Sequence, residues 1–402
     1  MWSQLPSDLI GTIAGTGDSG YGGDGTIGTM ACLNEPKNLC FDAEGNLFIA
    51  DSENHVIRRV VRVSHVMETV AGVVPNQQVV AGNPSPRDVT DPVGEPADPL
   101  ADVEDVPGQA YTQTPDLSGT VRYIVGQGIG KDRFAGDGAL ATQALLNFPS
   151  AVVVDPTGAL FIADTLNHRI RRVDPETGII QTVAGTGQAK CSGDGGPGTA
   201  AALNEPVALA LDGNHLYIAD QSNNRIRLLD LESSVITTVA GTGDSGYNGD
   251  GIPAIEAGLA GPSGLALDQE GNLYVADTFN SRIRKVAKET GMISTVAGDG
   301  MEFRYERGTN ESALALSRPY GIALTPQGAV LITDSDHHLI RKWDQETKTM
   351  SLVAGNGQST FSGDGGPAEE SGLNFPFGVA VDSMGNIAIA DTFNHCIRYI
   401  SV

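Results

Sequence analysis

Apolar and polar residues alternate with a period of two through most of this chain, in short runs cut apart by Gly, Asp, Asn and Pro. The clearest stretch reads Leu-Asn-Glu-Pro (203–206), Ala-Leu-Ala-Leu-Asp (208–212), Leu-Tyr-Ile-Ala-Asp (216–220), Asn-Asn-Arg-Ile-Arg (223–227) and Thr-Thr-Val-Ala-Gly-Thr-Gly (237–243). Runs this short and this rich in β-branched residues are strands rather than helices. Four of them, joined by turn residues, predict one four-stranded antiparallel sheet. Asp-x-x-Gly-Asn, at 268–272 and 382–386, marks the tight turn between the first two strands.

The unit recurs six times. Its opening proline stands at Pro36, Pro149, Pro206, Pro262, Pro319 and Pro376, so successive copies lie 113, 57, 56, 57 and 57 residues apart. That period is roughly a propeller blade and longer than most helical repeats. A blade buries its faces only against neighbouring blades, so the copies must close into a ring. The last copy ends after its third strand, Cys-Ile-Arg-Tyr-Ile-Ser (396–401), and lacks the Val-Ala-Gly strand of the others; a matching Ile-Gly-Thr-Ile-Ala-Gly-Thr-Gly stands at 10–17. The expected fold is all-β: a six-bladed β-propeller of four-stranded antiparallel blades, closed by an N-terminal strand that supplies the outer strand of the last blade. Residues 1–402 should then form a single domain with one continuous core.

Asn-Leu-Tyr-Val-Ala-Asp (272–277), Ile-Ala-Asp-Thr-Leu-Asn-His-Arg-Ile-Arg (162–171) and Gly-Asp-Gly-Gly-Pro (193–197) resemble the NHL repeat, named for an Asn-His-Leu type triplet after the second strand. The resemblance covers about residues 7–72 and 121–402. It implies a propeller and says little about activity, because propellers carry unrelated functions.

The doubled interval holds an insertion, 73–120, between the first and second blades. Pro84, Pro86, Pro92, Pro96, Pro99, Pro107 and Pro115 remove ladder donors throughout it, so a seventh blade is not expected there. Its plain reading is a solvated acidic loop and its functional reading a lid or partner-docking arm. Both flanks, 67–72 and 121–126, resemble the outer strand that completes the first blade.

The net charge of −24 and pI near 4.5 argue against a nucleic-acid partner, which Lys and Arg would have to neutralise. Some animal members of the resembled family read RNA with a basic face. Here 13 of the 25 basic residues fall in the third-strand motif, too evenly spread around the ring to make one patch. The N-terminal Met-Trp-Ser-Gln-Leu-Pro-Ser-Asp has neither a basic start nor an apolar run, and no segment is long enough to span a membrane, so no membrane insertion is expected. A chain complete as given would be cytoplasmic. Cys32, Cys40, Cys191 and Cys396 show no CxxC spacing and read as free thiols, with a Cys32–Cys40 bridge left open.

Strand order puts the fourth-to-first and second-to-third connections on one face, here the upper face. It carries Gly-Asp-Gly loops (Asp24, Asp137, Asp194, Asp250, Asp364) and the acids that end each second strand (Asp51, Asp164, Asp220, Asp277, Asp334, Asp391). Present in nearly every blade, these read first as turn and inter-blade hydrogen-bonding residues; cation ligation is the alternative for the loops, which makes a divalent cation the candidate cofactor.

Function is sought where the copies disagree. The residue after the repeat proline, at the mouth of the central channel, is Lys37, Ser150, Val207, Ser263, Tyr320 and Phe377 in turn; the histidine position is His55, His168, Asn224, Ser281, His338 and His395. The fifth blade adds Asp336 and His337 and replaces Gly-Asp-Gly by 301–308, which contains Arg304 and Arg307. The candidate ligand-binding set is Lys37, His55, Arg304, Tyr320, His337, His338, Phe377 and His395, where the fifth, sixth and first blades meet. Repeat decay is the plain reading of the same differences. The peptide-amidating lyase resembles these repeats and holds a channel metal through histidines, but none of the six matching positions here is histidine. No Gly-x-Ser-x-Gly, HExxH or GxxxxGK[ST] motif occurs.

Two functions follow. The first is a binding propeller presenting its upper face and channel mouth to a protein, peptide or small-molecule ligand. The alternative, which the resemblance to NHL-like enzymes implies, is a lyase or aromatic-alkylating enzyme with Tyr320, His337 or His338 as acid or base and Lys37 or Arg304 holding an anion.

Overall fold

In five repeats the four alternating runs pair as sequence neighbours into one antiparallel sheet, and in the sixth a distant strand supplies the fourth run; six such sheets are present among the described residues. The structure, a computed structural model, describes residues 6–73, 134–301 and 315–402. The first blade runs Pro36–Phe41, Leu47–Asp51, Val56–Val60 and Met67–Ala71 from inside to outside. Met67–Ala71 is thus the flank that completes it; the other flank and the insertion from 74 onward lie outside the described residues. Two-residue strands, Gly196–Pro197 and Ile252–Pro253, extend the outer edges of the third and fourth blades. Among the described residues the helical pieces are single 3₁₀ turns.

Ring closure follows the sequence. Ile10–Ala14 pairs antiparallel with Cys396–Ile400, with Ala14 opposite Ile397 and Thr12 opposite Arg398, so that Ile13 is bulged out. The first blade repeats this register from one continuous stretch: Ala71 faces Ile57 and Thr69 faces Arg58, with Val70 skipped. The N-terminal strand therefore does the work of a fourth strand down to its bulge.

Among the described residues the apolar core is made of six clusters, each shared by two neighbouring blades; the sixth–first cluster, for example, sets Ala380, Ala388 and Ala390 against Leu39, Leu47 and Ile49. Sheets stacked face to face around an axis bury side chains between them.

Beneath the upper face each blade buries an arginine from its third strand: Arg58, Arg171, Arg227, Arg284 and Arg398 are fully buried and Arg341 nearly so. Each pairs with the acid ending the second strand, at 3.2–3.4 Å. In five blades it also holds the Gly-Asp-Gly aspartate at 2.6–3.0 Å. The loop acids are therefore tied to the ring. The second-strand acid also accepts from the backbone N–H opening the first strand's approach (Asn34 to Asp51 Oδ1, 2.7 Å) and from the turn asparagine (Asn54 Nδ2 to Asp51 Oδ2, 2.8 Å). Burial outweighs these bonds and pushes Asp51, Asp164 and Asp391 up to about 6.

Candidate functional site

The channel-mouth residue owes its position to a bulge. Pro36 pairs with Asp51 and Asn38 with Ala50, leaving Lys37 out of the ladder; Ser150, Val207, Ser263 and Phe377 are skipped in the same way. In the fifth blade both Tyr320 and Gly321 are skipped. A bulge re-aims one side chain without ending the strand.

Three candidate residues form one contiguous group. The Tyr320 and Phe377 rings lie 4.2 Å apart, and Lys37 Nζ sits 4.1 Å from the Phe377 centroid. Phe393 extends the group, 6.2 Å edge-on from Phe377 and 5.3 Å from Lys37 Nζ; Phe375 meets Phe393 at 5.3 Å, and Phe148 lies 5.8 Å from Lys37 Nζ. The Lys37 ammonium is buried and bonded to Glu35 Oε2 at 3.0 Å. Desolvation pulls its pKa down although Glu35 opposes the shift. Its charge is met inside the protein, which runs against a role in holding an anion. Burial pushes the Tyr320 phenol up to about 12, which runs against acid–base work near neutral pH. Beside Tyr320, Arg318 Nε and Asp336 Oδ2 stand 3.4 Å apart.

The main chain beneath these three side chains is unusually close. A Cβ on Gly264 would meet Tyr320 O at 2.4 Å, one on Gly321 would meet Phe377 O at 2.3 Å, and one on Gly378 would meet Lys37 O at 2.5 Å. The matching positions elsewhere are Asn38, Ala151 and Ala208. The pattern was available in the sequence as Pro-x-Gly in three copies of six.

The histidines have another role. The histidine position is left-handed in every blade, φ 50–60°. Its Nδ1 accepts the backbone N–H that precedes the next blade's repeat proline: His55 from Phe148 (2.9 Å), His168 from Glu205 (3.1 Å), His338 from Phe375 (3.1 Å) and His395 from Glu35 (3.2 Å). Asn224 Oδ1 takes Gly261 N–H in the same way. Ser281 is too short to copy this, and its buried Oγ has no hydrogen-bond partner. Hydroxyls add a second tie, from Ser52, Thr165, Thr278, Ser335 and Thr392 to the next blade's proline carbonyl at 2.6–2.8 Å. Each junction histidine thus borders the mouth while fastening two blades. His337 replaces the turn asparagine, with Nδ1 3.0 Å from both Asp334 oxygens. Arg304 lies outside the described residues.

Accepting at Nδ1 requires an unprotonated ring nitrogen, and burial lowers the pKa of His168, His338 and His395 below 6.5. A histidine with a depressed folded pKa contributes stability that is present above the unfolded value and is lost as pH falls below about 6.5. Asparagine makes the same bond without titrating. We expect His168→Asn to lose less thermal stability than the parent between about pH 7.5 and about pH 5.5; equal losses in melting curves would refute this account of the junction.

Sequence reasoning missed Glu35, Phe148, Phe375 and Phe393. Three of them precede a repeat proline, a position that also varies widely (Glu35, Phe148, Glu205, Gly261, Arg318, Phe375) and has positive φ in all six blades. Phe393 occupies the place of Asp336 and Phe279 in other turns.

Residues 146–173, 316–343 and 373–398 match the family model described as the NHL repeat, and 242–313 match the Teneurin NHL domain. The chain is an NHL-repeat propeller. Over 253 residues the propeller is 31% identical to the protein SUPPRESSOR OF QUENCHING 1, chloroplastic, of Arabidopsis thaliana, covering 60% of this chain and 24% of that one. Over 319 residues it is 28% identical to NHL repeat-containing protein 2 of Homo sapiens, covering 71% and 42%. The NHL propeller therefore spans less than half the length of these relatives. A solved Bacteroides thetaiotaomicron protein of unknown function superposes with a TM-score of 0.61 at 17% identity, covering 97% of this chain and 75% of that one. Among the described residues of the propeller, no group of three or more His, Cys, Asp and Glu side chains is placed to hold a metal ion, and no helix is long and apolar enough to cross a membrane.

Proposed function

We propose that this NHL propeller is a binding module whose upper face, where the fifth, sixth and first blades meet, receives an apolar or aromatic group of a peptide, protein or small-molecule ligand. The observation that carries this reading is the aromatic wall of Tyr320, Phe377, Phe393 and Phe375 gathered around a desolvated Lys37 at the channel mouth. The third blade, away from this group, offers Val207 at the same position. Aromatic surface combined with an internally paired charge favours stacking and shape over charge attraction.

The test is a fluorinated aromatic fragment set read by fluorine NMR, followed by Tyr320→Ala and Phe377→Ala in the best binders. Loss of a stacked ring should weaken binding by about ten- to a hundredfold, on the order of 1–3 kcal/mol. Ser263 is not a clean control because its Oγ reaches Tyr320 O at 3.4 Å; Val207→Ala serves instead. Equal effects at Val207 and Tyr320, or fragments bound only on the lower face, would overturn the reading.

A further inference from the structure

A cleft of about 940 Å³ opens between the fifth and sixth blades on the face that carries the hairpin turns, away from the channel mouth. This is the size of a ligand site. Its lining is about equally polar and apolar, and the accessible apolar surface comes from both blades: Leu352 and Val353 on one side, Met384 and Val402 on the other. The turn glycines Gly328 and Gly385 border it, and a Cβ on either would meet nothing within 4 Å. Five carboxylates stand around it, those of Asp8, Asp344, Glu346, Glu369 and Glu370, against the single ammonium of Lys342. Glu346, Glu369 and Glu370 are exposed, at the rim.

We propose that this cleft docks an extended basic segment of a partner protein, in which aliphatic residues alternate with Lys or Arg. The apolar floor would take the branched side chains and the stems of the basic ones, while the cationic heads reach the carboxylate rim. Branched side chains fit walls supplied by two blades in a way that a linear polyamine, which has none, does not.

The experiment uses the full chain and a labelled synthetic peptide, Lys-Leu-Lys-Val-Lys-Leu-Lys, followed by fluorescence anisotropy. Because the whole protein is acidic, the control must change charge equally elsewhere. Glu369→Gln with Glu370→Gln should weaken binding about tenfold, whereas Glu176→Gln with Glu232→Gln, on exposed turns of the second and third blades, should change it less than about twofold. Leu352→Gln should weaken it as well. Equal losses from both glutamate pairs would overturn the proposal by showing charge attraction without a site. Displacement by spermine as effective as by unlabelled peptide, or equal binding of a peptide with Ser replacing Leu and Val, would overturn it by removing the role of the apolar walls.

Discussion

Replacing Arg227 by methionine should lower stability by about 3–5 kcal/mol, because it leaves the fully buried Asp220 without its cation. Asp194, the second partner, is half exposed and is solvated once released. Asp194→Asn should therefore cost far less, about 1 kcal/mol. The two variants also differ in pH dependence. Burial already raises the Asp220 pKa with Arg227 in place, and removal of the cation raises it further. A carboxyl whose folded pKa lies above its unfolded value takes up its proton first in the folded state, so stability is regained as pH falls through the folded pKa toward about 3.8. Urea unfolding near neutral pH and again near pH 5 should show the Arg227→Met deficit shrinking on acidification. A deficit below about 1 kcal/mol at neutral pH would contradict the buried pair as a structural element of the blade.

Removing residues 1–17 should have the larger effect on the assembled ring. The deletion strips the fourth strand from the sixth blade and leaves Cys396–Ile400 as a bare edge. It also withdraws Ile10 from the fifth–sixth cluster and Ile13 from the sixth–first cluster, each worth about 1.5–3 kcal/mol of burial. Edge exposure and two opened clusters together should produce aggregation or loss of most of the cooperative transition. Size-exclusion chromatography and thermal melting decide the matter, and a truncated protein that stays monomeric and melts with the parent would exclude this closure.

The blade count and the closure could be read from the chain because both are one-dimensional: a period of residues, and a strand missing at one end and present at the other. The bulge after each repeat proline could not, since an alternating pattern looks the same whether or not Lys37 or Tyr320 has a ladder partner. Variation at the histidine position pointed toward function, yet His55, His168 and Asn224 make the same inter-blade bond. Residue identity varied there while the task stayed constant. His337 seemed an added histidine, whereas in space it stands in for asparagine against Asp334. The repeated arginines were recognised as too regular for a binding patch, but their need for two carboxylates from separate connections becomes visible only once the loops are laid over the third strand. Among the described residues the apolar core is shared out pairwise, since sheets stacked around an axis enclose apolar volume between neighbours.

The arginine triads also bear on the meaning of the chain's acidity. Five blades each join one guanidinium to two carboxylates, an excess of one negative charge per blade, so five of the 24 surplus charges reside in the framework. About a fifth of the imbalance is thus architectural rather than presented to a partner. A relative whose remaining charges were in balance would still carry this excess of five for as long as it kept these blades.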